Sequence, residues 1–327
     1  RYFLKLDESG IYDFNVTTVY DYTDGLYDYL SKEFRGFANV TERRSNATVI
    51  NHLFHQDNGR KGREYKLEVV NNETQPLTTA LYQQKDFTWN ASLGENGYYT
   101  LLLLEENVSQ FDGQATPKIT NVTYEYDLYG NIRTKQSEGD LDIGNDERNE
   151  YTDFVYNLTA WIVETKSKYL LYATDNTTLL REIKYSYDGQ AYGAAPLRGD
   201  ITKQEQTVEG TNTSITQYTY NTYGNILTKT DPNTRQTTFT YGVHDPTFTF
   251  ADTETNPKNH VIKRWFDLGT GNLRSVLDGN DFNTSYTYDV LGRVTAEIKP
   301  MDTFAYPTKV YTYEFDGIAP EKTKIQI

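Results

Sequence analysis

The chain of 327 residues has no cysteine, and that absence excludes a disulfide framework, a thiolate nucleophile and any Cys-based metal site. Histidine is almost missing too: four residues leave little for acid–base catalysis near neutral pH. Basic residues are the minority, 32 Lys and Arg against 46 Asp and Glu. The resulting charge of −14 repels nucleic-acid phosphates and anionic membrane surfaces alike. No apolar run approaches the ~20 residues of a spanning helix. The longest, Tyr98 to Leu104 with Thr100 inside it, reads as a buried strand. Apolar content is only 37%, poor for a thick double-layer core. The chain opens without Met or a signal peptide and stops inside a repeat, which reads as a fragment, a processed form or one segment of a longer polymer. The missing signal therefore says nothing about compartment.

What the chain has is aromatics, at 14% of residues, 29 of them Tyr, and these rule out a disordered composition. They fall into a recurring phrase: an aromatic, any residue, an aromatic, Asp or Asn, then Gly three or four positions on. It reads Tyr124-Glu-Tyr126-Asp127-Leu-Tyr-Gly130, Tyr218-Thr-Tyr220-Asn221-Thr-Tyr-Gly224 and Tyr286-Thr-Tyr288-Asp289-Val-Leu-Gly292. Looser copies are Trp265-Phe266-Asp267 with Gly271, Tyr185-Ser-Tyr187-Asp188-Gly189, and the pair Tyr311 and Tyr313. An internal repeat means that one structural unit is being stacked.

Aromatics two residues apart project from one face of a strand. Asp or Asn followed by Gly suits a type I turn, in which the side-chain oxygen bonds forward to the backbone. Ile132 and Thr134, or Ile226 and Thr228, then resume the alternation on the returning strand. Each copy is thus a β-hairpin with an aromatic face, and a lone hairpin is unstable without neighbours. Gly271 to Gly292 is 21 residues and Gly224 to Gly271 is 47, so the period is near 22 or a multiple, enough for two strands and two turns. The expected fold is all-β: consecutive antiparallel β-hairpins forming a coiled or shell-like sheet. A strand-rich region over 1–115 runs, through a modest break at Gln114 to Pro117, into a hairpin strip over 116–327.

The phrase resembles the YD repeat of the Rhs family over roughly the last two thirds of the chain, with Gly130, Gly224, Gly271 and Gly292 at the family's Gly position. Asp24-Gly25-Leu-Tyr27-Asp28, Glu33-Phe34-Arg35-Gly36-Phe37 and Gly62-Arg-Glu64-Tyr65 resemble the segment that precedes the repeats in the shell-forming components of Tc-type toxin complexes. The resemblance implies a strip of hairpins coiled into a hollow shell, enclosing a cleaved polypeptide in the toxins and standing at the cell surface in teneurins. Asp231-Pro232-Asn-Thr234 lacks the Gly of the family's self-cleaving Asp-Pro-x-Gly core.

Asn-x-Ser/Thr occurs at Asn15, Asn39, Asn46, Asn72, Asn90, Asn107, Asn121, Asn157, Asn176, Asn212 and Asn283. Composition alone would give about five, so the excess points to N-linked glycans and an extracellular or cell-surface chain. Turns are expected near Asn90 and Asn121. His52-Leu-Phe-His55 reads as a solvated or core pair, since on a strand the two face opposite sides. The loop from Asp140 to Glu147 has oxygen ligands dense enough for Ca²⁺ but does not match EF-hand spacing, and a solvated acidic turn is the stronger reading. Asp278-Gly-Asn280-Asp281 is a weaker version. No phosphate cradle, nucleophile elbow or zinc-binding helix is present, so no enzyme and no resident cofactor is expected.

Three full copies are too few to close a shell, which ranks first a secreted, N-glycosylated structural protein. It would build extracellular or cell-surface filaments, self-associating through β-strand edges. The alternatives are part of a Tc/Rhs toxin-type shell enclosing a cargo polypeptide, or a carbohydrate-binding surface protein whose Tyr-lined sheet stacks on sugar rings, for which loss of binding on Trp265→Ala is the test.

Overall fold

The computed structural model describes residues 2–7, 15–44, 48–71, 81–112, 114–209, 212–314 and 322–326. Among them lie 23 β-strands and no helix, so nothing is long and apolar enough to cross a membrane as a helix. The chain divides into two compact units. The first is Arg1–Val155 with Val163–Glu182, and the second is Tyr156–Ile162 with Ile183–Ile327. The break expected near residue 115 falls in the first unit, between the paired strands Tyr99–Gln110 and Lys118–Tyr126.

Within each unit, strands consecutive in sequence pair antiparallel. In the first, Tyr2–Asp7 pairs with Asn15–Asp28, which pairs with Glu33–Arg44, and so on through Lys118–Tyr126 and Ile132–Asp140. In the second, Ile201–Glu209 pairs with Asn212–Tyr220, then Ile226–Thr230, and onward to Lys309–Glu314. The expected succession of hairpins is the architecture.

The strands form a single layer with little core. Only Ile50, Tyr187, Pro196 and Ile298 are buried apolar residues among those described. The apolar run at Tyr98 to Leu104 shows the consequence. It lies largely in the strand Tyr99–Gln110, yet Tyr99 and Leu104 are exposed, because no second layer covers them. The expectation of a buried strand there is corrected on that ground. Tyr suits such a sheet, since its ring can lie on neighbours while its hydroxyl stays hydrogen-bonded.

Candidate functional surface

The repeated phrase builds one device at the hairpin turn. Asp127 Oδ1 accepts the N–H of Tyr129 at 2.8 Å and of Asn131 at 2.9 Å. The same pattern holds at Asn221, with Tyr223 and Asn225 donating at 2.9 and 3.0 Å, and at Asp289, with Leu291 and Arg293 both at 2.9 Å. Gly130, Gly224 and Gly292 take φ of 85°, 86° and 78°, the left-handed geometry that a Cβ disfavours. Three further turns use the device with no Gly at the fourth position. Asp231, Asn256 and Asp278 each accept N–H groups two and four residues on, and Thr234, Asn259 and Asp281 take φ of 63°, 64° and 62°. These turns lack the Gly that marks the repeated phrase; their sequence signal is Asp or Asn followed three positions on by Thr, Asn or Asp.

The strand register shifts immediately before the second aromatic in five copies, at Tyr126, Tyr187, Tyr220, Phe266 and Tyr288. Tyr126 faces Ile132 while Glu125 faces Thr134, so Arg133 is the extra residue of a β-bulge. The simple alternation expected from Ile132 to Thr134 is therefore corrected: the left-handed turn residue delivers the chain one residue out of step.

The second Tyr then reaches sideways. Tyr220 donates its hydroxyl to Ile201 O at 2.7 Å, Tyr288 to Leu273 O at 2.7 Å, and Tyr313 to Val294 O at 2.8 Å. Each acceptor is the first residue of the preceding strand. Tyr126 reaches Leu103 O at 2.7 Å, and Tyr241, outside the noted copies, reaches Ile226 O at 3.1 Å. Burial pushes the hydroxyls of Tyr126, Tyr220, Tyr241 and Tyr288 above their ordinary value of 10.0. Phe266 has no hydroxyl and stacks on Phe250 at 4.5 Å instead. Trp265 stacks on His244 at 4.5 Å, so one face of the ring considered for sugar stacking is already covered.

Two longer connections replace the tight turn, each organised around inward carboxylates. In the truncated copy, Asp188 Oδ2 accepts N–H groups from Leu197, Arg198 and Gly199, folding the loop over 188–200 back on itself. In the other, Asp252 Oδ2 accepts those of Val243, His244 and Asp245, and Asp245 accepts those of Thr247, Thr249 and Phe250. Burial opposes ionisation of Asp245, but its hydroxyl and N–H donors outweigh it and hold the carboxyl at about 2.

The Glu33-Phe34-Arg35-Gly36-Phe37 string locks a hairpin tip. The Arg35 guanidinium pairs with Asp28 and donates to Gln56 O at 3.3 Å, while Gln56 Nε2 donates to Asp24 O and Gly36 O at 2.7 and 2.9 Å. Phe34 and Phe37 meet edge to face at 5.3 Å.

The eleven sequons separate sharply. Asn46 and Asn72 lie outside the described residues, and Asn15 is described for its backbone alone. Asn90, Asn176, Asn212 and Asn283 are exposed. Asn39 is half-buried, with Oδ1 sealed from solvent. Asn157 Nδ2 donates to Pro196 O at 2.8 Å. Asn107 and Asn121 share a network: both donate to Glu105 Oε1, at 3.1 and 2.7 Å, and Asn121 also donates to Asn107 Oδ1 at 2.7 Å. Asn90 and Asn121 sit inside the strands Leu81–Leu93 and Lys118–Tyr126 and not at turns, because both hairpins extend further than the turn residues indicated.

His52 and His55 do not converge. His52 Nδ1 meets Glu64 Oε1 at 2.6 Å, whereas His55 lies against Tyr65, with burial and then Arg60 lowering its pKa. In the loop considered for Ca²⁺, Asp146 accepts the Asp140 N–H, Glu147 accepts that of Asn145, and Lys118 lies 3.4 Å from Asp140. Asp278 caps its own turn. Among the described residues no group of three or more His, Asp or Glu could hold a metal ion.

The family model for the insecticide toxin TcdB middle/N-terminal region matches residues 7–61, and that for the RHS repeat matches residues 267–300. The resemblance to YD-repeat (Rhs) and Tc-type shell components holds. The first match contains the Arg35 lock and the second the Asp267 and Asp289 turns. Crystal structures of TcdB2-TccC3 and of TcdB2-TccC3-Cdc42 share the fold, with TM-scores of 0.65 and 0.63 at 12% and 14% identity over 92% of this chain. The Photorhabdus luminescens Tc holotoxin pore aligns over 95% with a TM-score of 0.64 at 13% identity. The chain spans about a fifth of the length of these structures, 21–22%. No curated protein sequence matches it.

Proposed function

We propose that the chain is a stretch of wall in a Tc/Rhs-type shell that encloses a cargo polypeptide and assembles with other subunits of an extracellular complex. The observation that carries this reading is the fold likeness over 92% of the chain to TcdB2-TccC3, supported by the two family matches. These likenesses favour the shell over the filament that the sequence ranked first. Physical economy points the same way. A wall has solvent on both sides, and a single-layer sheet whose strands are half-exposed on both faces suits it better than a layer awaiting a core. The wall acts by its structure and not by catalysis. In a compartment that glycosylates, the acceptors we assign are the exposed Asn90, Asn176, Asn212 and Asn283, read out by intact mass before and after deglycosylation.

Cryo-electron microscopy of the full-length product of the gene tests the reading. The expected image is a closed hollow particle with unassigned density in its lumen. Filaments, or an open sheet with no enclosed volume, would overturn it.

A further inference from the structure

Asn-Gly occurs twice in the chain, at Asn58-Gly59 and Asn96-Gly97, and each pair lies at a hairpin tip of the first unit. The dipeptide carries its own chemistry. With no Gly side chain to block the approach, the Gly main-chain N can attack Cγ of the Asn side chain. The N–Cγ bond forms, the Cγ–Nδ2 bond breaks and ammonia leaves. Water then opens the cyclic imide at either carbonyl, giving aspartate or isoaspartate. One water is consumed and one ammonia released, with no oxidant or cofactor. The step requires the Gly N–H to give up its hydrogen bond and its proton, and the peptide to swing until N reaches Cγ. The two tips meet these conditions very differently.

At Asn58 the tip is held. Asp57 Oδ1 accepts the N–H of Gly59 at 3.0 Å and of Arg60 at 2.9 Å, and Asp57 Oδ2 pairs with the Arg60 guanidinium at 3.0 Å. A carboxylate on the Gly59 N–H opposes loss of that proton, because a second negative charge would form beside the first. Main-chain bonds tie the same tip, from the N–H groups of His55, Lys61, Gly62 and Arg63 to the carbonyls of Arg63, Asp57, His55 and Arg60. Gly59 is also packed: a Cβ built there would lie 2.6 Å from Ala91 Cβ and 2.9 Å from Tyr99 Cδ1, so its backbone has little room to swing. At Asn96 the tip is tied by Gly94 N–H to Tyr98 O at 2.9 Å and Gly97 N–H to Gly94 O at 3.0 Å. The acceptor of Gly97 is a neutral carbonyl, and both Asn96 and Gly97 are exposed. Gly97 takes φ of 78°, and a Cβ built there meets nothing within 4 Å. Opening this tip gives up exposed hydrogen bonds alone, the cheapest kind of local unfolding.

We infer that Asn96 is a site of spontaneous deamidation in the folded chain, whereas Asn58, in the same dipeptide, is protected by Asp57 and by the packing of Gly59 on Ala91 and Tyr99. The product adds a negative charge to an exposed tip and, in its isoaspartyl form, an extra main-chain methylene. Leu93 pairs with Tyr99 below the modified residues, and the pairing continues from there to Gln83 with Gln110. The hairpin therefore survives the change, and modified chains accumulate with age instead of unfolding.

Peptide mapping by mass spectrometry, on the 327-residue chain held in mildly alkaline buffer with and without urea, tests it. Reaction adds about one mass unit at the site and splits its peptide into aspartyl and isoaspartyl forms. The readout is each site's rate in the folded chain divided by its rate in urea, which cancels the influence of sequence neighbours. At Asn96 this ratio should lie within about 10-fold of one, and at Asn58 it should be lower again by about 10-fold or more. Asp57→Ala should raise the Asn58 ratio by several-fold, since the Gly59 N–H then loses its charged acceptor. Equal ratios at the two sites, Asn96 more protected than Asn58, or an Asn58 ratio unmoved by Asp57→Ala would each overturn the inference.

Discussion

At the scale of the residue, each turn rests on one oxygen. Asp289→Ala removes the one oxygen that accepts two N–H groups, and the pairing with Arg293, and should destabilise by about 1–2 kcal/mol in urea unfolding, whereas Asp289→Asn should lose much less because Asn221 already does the same work. Thr234→Gly should stabilise by about 1 kcal/mol, since a β-branched residue there holds φ of 63°. The carboxylates also set an acid limit. Arg274, with the N–H and hydroxyl of Thr270, holds Asp267 at about 2, and the Arg293 N–H lowers Asp289 below 3.8. Carboxyls depressed on folding contribute stability above pH 3.8 that is lost as pH falls through about 2, and circular dichroism against pH should show that loss. Tyr288 and its counterparts act in the opposite sense. Their hydroxyls are raised above 10.0 by burial, so the stability they contribute is complete below pH 10 and is lost as pH rises beyond it.

At the scale of the element, the hairpin was legible because its signals are local. Asp127, Gly130 and the Tyr pair sit within seven residues, and each announces its role by side-chain chemistry. The bulge was not legible, since Arg133 is extra only by comparison with a partner strand. Nor was the Tyr bond: the acceptor of Tyr288 is a main-chain oxygen on another strand, which any residue supplies. The same blindness affected the sequons. Asn107 and Asn121 look like independent acceptors in the sequence, and only strand pairing at that position brings them onto Glu105. Tyr288→Phe isolates the lateral bond from the packing of the ring. It should cost about 1 kcal/mol and leave the far-ultraviolet dichroism intact.

At the scale of the whole molecule, a layer in which only Ile50, Tyr187, Pro196 and Ile298 are buried apolar residues among those described cannot unfold like a globule. Stability sums over hairpins and the interfaces between neighbours, so urea unfolding should be broad, with a slope below that usual for a chain of this length. Coincident, sharp transitions by fluorescence and dichroism would speak against a single layer. Limited proteolysis of the full-length gene product, with and without prior urea treatment, tests the wall most directly. The account predicts a cargo segment that resists protease while the wall is folded and is digested once the hairpins open. Equal digestion of that segment in both states would contradict it.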